Sequence, residues 1–363
     1  MEQDMDKKKR IKRIIAVIAL VAACGISGFA GAKLGGGNSV TINQVTGKAS
    51  NSIKSSSDYS DVASKCGPSV VEISTEGVSY GSNLQQYVEE GAGSGVIISS
   101  DGYIVTNYHV IENASNITVK TTDGNSYDAT IVGTDSDTDL AVLKIDADNL
   151  TAATLGDSDS LEVGDDAIAI GNPLGMLGGT VTTGIISALN REITIDDTTM
   201  TLLQTDAAIN PGNSGGGLFD ADGNLIGIVN AKASSSGIEG LGFAIPINDA
   251  IAVVNELIAN GKVTSRPSLG ATLYDYSQDS NYYYSDSTES GVYIVQLTKG
   301  GAAAEAGLQE NDRIVSVDGE KVSSASEVKS IIQKHEIGDK VKIVVERDGE
   351  KITKTVTLQQ STE

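Results

Sequence analysis

The chain has no tryptophan, three phenylalanines, five prolines, two cysteines and two histidines among its 363 residues. The two cysteines, Cys24 and Cys66, lie far apart, which excludes a disulfide framework and a zinc-spaced cluster. Two histidines and two cysteines cannot assemble a useful metal site, and no Walker-type phosphate loop occurs, so no metal, nucleotide or flavin cofactor is expected. Basic residues are also scarce: 26 Lys and Arg stand against 48 Asp and Glu, a net charge of −22. Residues 1–13 carry six bases and three acids, a local +3 that leaves −25 on the rest. Such a surface repels phosphate backbones, so nucleic-acid binding is not expected.

Glycine, in contrast, is abundant at 41 residues, and Val, Ile, Thr and Ser recur in short runs, a mixture that predicts many short strands and turns. The length allows two or three domains. Residues 14–32, "IIAVIALVAACGISGFAGA", form an uncharged run behind the basic segment 1–13. As a helix it would be about 28 Å long, close to the hydrocarbon thickness of a bilayer. The basic flank predicts a cytoplasmic N-terminus, with the body outside. A signal peptide cleaved near "AGA" and a lipoprotein site at "VAAC" are competing readings, but the apolar run continues past Cys24 and beyond a signal's shorter core. All three readings place the body outside the cytoplasm. Residues 33–58, rich in Gly, Ser, Asn and Lys, read as a flexible tether.

From residue 59 the pattern changes. "SVVEIST", "GVIIS", "YIVTNYHVI", "ITVKTT", "LAVLKI", "DAIAIG", "GTVTTGIISAL" and "NLIGIVNAKA" are β-like runs between Asp-Gly and Gly-rich turns, as in an all-β barrel or sandwich. A helix is predicted at 247–260, capped by Asn248, with Ile251, Val254, Leu257 and Ile258 as its apolar stripe. "GKVTSRPS" then marks a boundary, and 267–360 reads as a second small domain. There Ser324 and Glu327 have capping-box spacing, Val328, Ile331 and Ile332 share one helix face, and an Asp-Gly turn joins the strands of "VKIVVERDGEKITKTVTL".

The stretch "AAINPGNSGGGLFD", from Ala207 to Asp220, has the composition of any tight turn. It also holds a serine, and nucleophilic serine needs a base. His335 ends the predicted helix of the second domain, where a basic residue complements the helix dipole, so a structural role is expected. His109 follows the apolar strand "YIVT". In "DSDTDLAVLKI", Asp139 directly precedes a strand that could bury and orient its carboxylate, whereas Asp135 and Asp137 read as solvated turn acids. The chain order His109, Asp139, Ser214 is that of the double β-barrel proteases, not of subtilisins or α/β-hydrolases. The N–H groups of Gly212 and Ser214, flanking Asn213, would then form the oxyanion hole.

The motifs "GSGVIISSDGYIVTNYHV", "DTDLAVLKI", "AIAIGNPLG", "TVTTGIISALNRE", "LLQTDAAINPGNSGGGLFD" and "GLGFAIPI" resemble, in this order, segments of the HtrA/Deg family of trypsin-like serine proteases. The resemblance implies a mainly β fold: a chymotrypsin-like double β-barrel over 59–265, followed by a small α+β PDZ domain over 267–360. It implies a triad of His109, Asp139 and Ser214, and substrate contacts from Gly240, Leu241, Gly242 and Phe243, with small aliphatic residues preferred before the scissile bond. Asn213 stands where proteases matured by cleavage have an Asp, so reversible ordering of the loops around 186–200, 207–214 and 231–242 is expected instead of zymogen cleavage. Gly217 stands where the family usually has Pro, and is expected to loosen the following strand.

"SLGATL", "GVYIVQL" and "AGLQENDRIVSVDGEKV" are similar to bacterial PDZ domains. Such domains take a peptide C-terminus as an added strand. Leu269, Gly270 and Ala271 are the expected carboxylate-binding residues, with Val328 and Ile332 lining the groove. The tyrosine-rich "YDYSQDSNYYYSD" at 274–286 reads as a solvated insertion. The implied function is a membrane-anchored endopeptidase, commonly trimeric in this family, that cleaves unfolded or damaged extracytoplasmic proteins. Cleavage of one dedicated envelope substrate, or chaperone-like binding, are the alternatives.

Overall fold

The computed structural model of the chain describes residues 56–80, 86–172, 179–195, 198–210, 212–233, 240–277 and 289–361. The expected membrane anchor, the basic segment and nearly all of the tether lie outside these residues. Among the described residues no helix is long and apolar enough to cross a membrane.

Strands β1 (Val70–Tyr80), β2 (Gln86–Ile97), β3 (Tyr103–Thr106), β4 (Ala114–Lys120), β5 (Ser126–Asp135) and β6 (Leu140–Ile145) close an antiparallel barrel in the order β1-β2-β3-β6-β5-β4. Alternation along them turns Val71, Ile73, Ile97, Ile104, Val119 and Leu143 into its core. Strands β7 (Asp166–Gly171), β8 (Thr180–Ile195), β9 (Thr198–Thr205), β10 (Gly217–Phe219), β11 (Leu225–Val229) and β12 (Gly242–Pro246) close a second barrel in the order β10-β11-β12-β9-β8-β7. Closure leaves neither sheet with an open edge along its length. Gly217, expected to loosen its strand, keeps its place in the ladder: it pairs with Ile228 and Ile170, and the space a side chain would need is filled by the Phe219 ring.

Helix α1 (Ser56–Cys66) starts within the segment expected to be tether. It is pinned to the second barrel by the Tyr59 hydroxyl, which donates to Asp166 Oδ1 at 2.7 Å, and by Lys65 Nζ, which donates to the Asp222 carbonyl at 2.7 Å. A short helix α2 (Tyr108–Ile111) carries His109. Helix α3 (Ile247–Asn260) begins one residue earlier than its expected cap: Pro246 is the N-cap, and the Asn248 amide instead donates to Asp157 Oδ1 at 2.9 Å. Its buried stripe accordingly runs through Ala250, Val253, Val254 and Leu257, leaving Ile251 and Ile258 half-buried.

The C-terminal domain contains β13 (Pro267–Ser268), β14 (Ala271–Tyr276), β15 (Gly291–Leu297), α4 (Ala302–Glu305), β16 (Arg313–Val317), β17 (Glu320–Lys321), α5 (Ala325–Ile332), β18 (Lys340–Arg347), β19 (Glu350–Thr357) and β20 (Gln359–Gln360). Ser324 caps α5 as its sequence predicts, accepting the Glu327 N–H at 3.2 Å, while Glu327 Oε2 accepts the Ser323 N–H at 2.6 Å. Asp348 and Gly349 both take positive φ, the two-residue turn that matches strand twist. His335 takes the structural place expected of it, within 3.0 Å of the Ile331 carbonyl and of Asp318 Oδ2. Of the tyrosine-rich insertion, residues 278–286 lie outside the described residues; Tyr274 is exposed and Tyr276 meets Tyr293 edge to face.

Candidate active site

Three residues distant in sequence converge where the two barrels meet. His109 Nε2 lies 3.0 Å from Ser214 Oγ, and His109 Nδ1 lies 2.6 Å from Asp139 Oδ2. An ionised carboxylate only accepts hydrogen bonds, so Nδ1 carries the proton and Nε2 presents its lone pair to the serine. Asp139 is held in turn. Its Oδ1 accepts the His109 N–H at 2.9 Å, its carbonyl accepts the Tyr108 N–H at 3.1 Å, and the Asn107 side-chain amide donates to that same carbonyl at 3.0 Å. Its φ of 54° is a left-handed conformation that Asp tolerates better than most residues.

Asn230, just after β11, completes the arrangement by donating from Nδ2 to Asp139 Oδ2 at 3.0 Å. Its neighbour Ala231 donates its N–H to Ser214 Oγ at 3.2 Å. Neither residue is singled out by the sequence. "NLIGIVNAKA" marks the strand, but nothing local says that its end reaches a carboxylate 91 positions earlier.

The turn carrying Ser214 has the geometry expected of its glycines. Gly212 has φ of 98° and Gly215 φ of 79°. The N–H groups of Gly212 and Ser214 have no acceptor among the described residues, so both remain available to a developing oxyanion. Asn213 is buried, and its Nδ2 has no partner among the described residues.

The segment expected to contact substrate divides in two. Gly242 and Phe243 pair with Thr205 and Gln204 of β9, and the Phe243 carbonyl accepts the Asn230 N–H at 2.9 Å. That part of the backbone is already committed to the barrel and is not free to take a substrate strand. Gly242 instead forms a wall against Ile209, whose Cγ1 would sit 2.6 Å from any Cβ added there. Gly240, with φ of 83° and open space around it, and the half-buried Leu241 precede the ladder. Residues 196–197, 211 and 234–239 of the expected mobile loops lie outside the described residues.

In the C-terminal domain, Leu269, Gly270 and Ala271 lead into β14 opposite α5. Leu269 is buried, Gly270 has φ of 63°, and its N–H is held by Ser268 Oγ at 3.0 Å. A cavity of about 610 Å³ has Leu269, Ala271, Val328 and Ile332 on one side and Tyr108, Ser136 and Asp137 of the first barrel on another.

Asp135 and Asp137 are therefore not solvated turn acids. Arg266, in the linker, makes a bidentate pair with Asp135 at 2.7 and 2.8 Å and reaches Asp137 at 3.3 Å. Lys329 of α5 also pairs with Asp137. Their partners lie more than 125 residues away, beyond any local pattern. Burial acts to raise the Asp135 carboxyl, but hydrogen bonds from Arg266 and Thr138 and the guanidinium charge outweigh it and hold it below the usual carboxylate range.

Comparison with known proteins agrees with this geometry. The family described as Trypsin-like peptidase domain matches residues 93–228, and the PDZ domain family matches 267–358. Serine protease Do-like HtrB of Bacillus subtilis is 46% identical over 287 residues, covering 74% of this chain and 62% of that relative. Serine protease Do-like HtrA of the same organism is 39% identical over 333 residues, covering 85% and 74%. Among solved structures, the HtrA-type protease AlgW with decapeptide superposes with a TM-score of 0.58 at 38% identity, covering 84% of this chain and 99% of that one.

Proposed function

The chain belongs to the HtrA/Deg family of serine endopeptidases, and we propose that within it this molecule cleaves unfolded or damaged polypeptides outside the cytoplasm. The observation that carries the reading is the relay from Asp139 through His109 to Ser214, at 2.6 and 3.0 Å. Ser214 Oγ attacks the scissile carbonyl as His109 Nε2 takes its proton. The Gly212 and Ser214 N–H groups bind the oxyanion, and the imidazolium then protonates the leaving amine. Water, activated by the same His109, releases the acyl group from Ser214. Asp139 fixes the tautomer and stabilises the imidazolium, with Asn230 donating to the same carboxylate oxygen, Oδ2, that faces the imidazole. Ile209 facing Gly242 favours small aliphatic residues before the scissile bond, since a narrowed pocket admits little more.

The C-terminal domain takes free C-termini of polypeptides into the cavity between β14 and α5. Lys329 of α5 and Gln333 at its C-terminal cap both reach Asp137, two residues before Asp139. Occupancy of the groove is thereby coupled to the loop that bears the catalytic acid, which favours the active arrangement of the site. The molecule is anchored by residues 14–32 and acts as a homotrimer.

Cleavage of unfolded casein by the full chain tests this reading. Wild type should cleave, faster with an added hydrophobic peptide bearing a free C-terminus, and Ser214→Ala should not cleave at all. Aggregation suppression by folded wild type without any cleavage would move the reading to a binding protein. A survey of cleaved proteins dominated by one envelope target would replace general clearance with dedicated regulation.

A further inference from the structure

Ser94, in β2 of the first barrel, is fully buried, yet every polar group it owns is turned toward the second barrel or toward the strand that leads to His109. Its hydroxyl donates to the Gly212 carbonyl at 2.6 Å and accepts the Asn172 N–H at 2.8 Å. Its own N–H donates to the Ser214 carbonyl at 2.8 Å, and its carbonyl accepts the Thr106 hydroxyl at 2.7 Å. One residue thus holds the nucleophile turn at two carbonyls, those of Gly212 and Ser214.

The Gly212 N–H lies in the peptide that precedes Gly212 and the Ser214 N–H in the Asn213–Ser214 peptide, and the orientations of these planes and of the Gly212–Asn213 plane between them decide whether both donors converge on one point. The plane between Asn213 and Ser214 is fixed by the Gly216 N–H, which donates to the Asn213 carbonyl at 2.8 Å. The plane between Gly212 and Asn213 is held from within the turn by the Asn213 N–H, which donates to the Asn210 carbonyl at 3.0 Å, and from outside the turn, among the described residues, by Ser94 Oγ, which donates to the Gly212 carbonyl. Gly212, with φ of 98°, has no side chain to restrict rotation of that plane. The Asn213 side chain adds no hydrogen bond from its Nδ2 among the described residues.

We infer that Ser94 is a positioning residue for the oxyanion hole. Its hydroxyl ties the Gly212–Asn213 peptide to the first barrel from outside the turn and so sets the Gly212 Cα from which the N–H of the preceding peptide is directed at the reacting carbonyl, and the Asn172 N–H fixes which way the hydroxyl proton points. The hydrogen bonds of Ser94 run to Gly212, Ser214, Asn172 and Thr106, and none of these reaches His109. Removal of Ser94 acts on a charge present only in the transition state, and so falls on kcat while substrate binding is spared. The inference rests on the serine-protease reading of the site.

The test uses the full chain with a fluorogenic peptide carrying a small aliphatic residue before the scissile bond. Ser94→Ala should lower kcat by about 10- to 100-fold, somewhat less than outright loss of an oxyanion donor. KM should stay within about twofold, and the acid limb of the pH profile, which reports His109, should not move. A peptide trifluoromethyl ketone, whose adduct places an oxyanion in the hole, should lose affinity by the same factor as kcat. Ser94→Thr, which keeps a hydroxyl on the same carbon, should recover most of the rate. Should Ser94→Ala fail to fold, Ser94→Cys fills the space with a weak donor and carries the same expectations. A folded Ala or Cys variant with kcat within threefold of wild type would overturn the inference, as would a loss residing in KM or a shifted acid limb. Wild type inert where Ser214→Ala is also inert would remove the protease reading and this inference with it; wild type active and Ser94→Ala equally active would remove the inference alone.

Discussion

At Gly215 the backbone has φ of 79°, and a Cβ added there would lie 2.2 Å from the Ser94 carbonyl oxygen and 2.3 Å from Thr106 Oγ1. Neither neighbour can retreat, because those two oxygens are hydrogen-bonded to each other and buried. Gly215→Ala combines left-handed strain with overpacking, each worth about 1–3 kcal/mol. The expected outcome is a lowered melting temperature and casein cleavage reduced at least about 100-fold; wild-type activity in this variant would contradict the account of the turn. The same residue scale separates what was legible from what was not. His109 could be read because only two histidines compete, whereas Asp139 and Ser214 come from abundant residue types and could be read from a place just before an apolar strand, a glycine-rich turn and the chain order of the three. Asn230 could not, since asparagine is common and its partner is defined only by the docking of two barrels. Asp135 and Asp137 were misread for the mirror-image reason: surface acids look alike until a distant cation covers them.

Among the elements, strands with clean runs of Val, Ile and Leu were legible, including β3, β6, β7 and β11, whose residues are almost all buried. β5 and β9 escaped because exposed and half-buried positions dominate them, which blurs the period-2 signal, and β10 because three residues are too short to carry a period. Helix α1 was hidden by its polar sequence, SSDYSDVASKC, in which only Val62 and Cys66 are apolar and fully covered. Its docking has a measurable signature. Burial pushes the Cys66 thiol up to about 11, with the nearby Lys65 charge opposing and Asp220 adding to the shift. In a Cys24→Ser background, Cys66 should therefore react with a disulfide reagent at pH 8 only as fast as α1 opens, and at an ordinary thiol's rate in denaturant. Immediate reaction in the native protein would mean that α1 is not docked.

Across the whole molecule, the linker residue Arg266 ties the start of the C-terminal domain to the end of β5 at Asp135 and to Asp137 in the loop after it. Because the paired Asp135 carboxyl is held below its ordinary value, this pairing stabilises the folded state at all pH values above the unfolded carboxyl's pKa, and that contribution is lost as the pH falls through the lower folded value. Arg266→Ala leaves a half-buried carboxylate without its guanidinium, at a cost of about 3 kcal/mol at pH 7. The gap between wild type and variant in urea unfolding should narrow once the pH drops below about 4. A gap unchanged between pH 7 and pH 3 would show that the pair carries no such energy.

The division of the triad between the barrels also bears on biosynthesis. His109 and Asp139 belong to the first barrel, while Ser214, the proposed oxyanion donors and Asn230 belong to the second. A chain emerging from the ribosome or translocon as far as β6 holds a base and an acid but no nucleophile. Even with Ser214 made, the serine has no partner until the second barrel closes through β10, β11 and β12 and seats against the first. Hydrolytic competence is thus the last property the protease domain acquires, and a half-made molecule cannot digest its neighbours or itself.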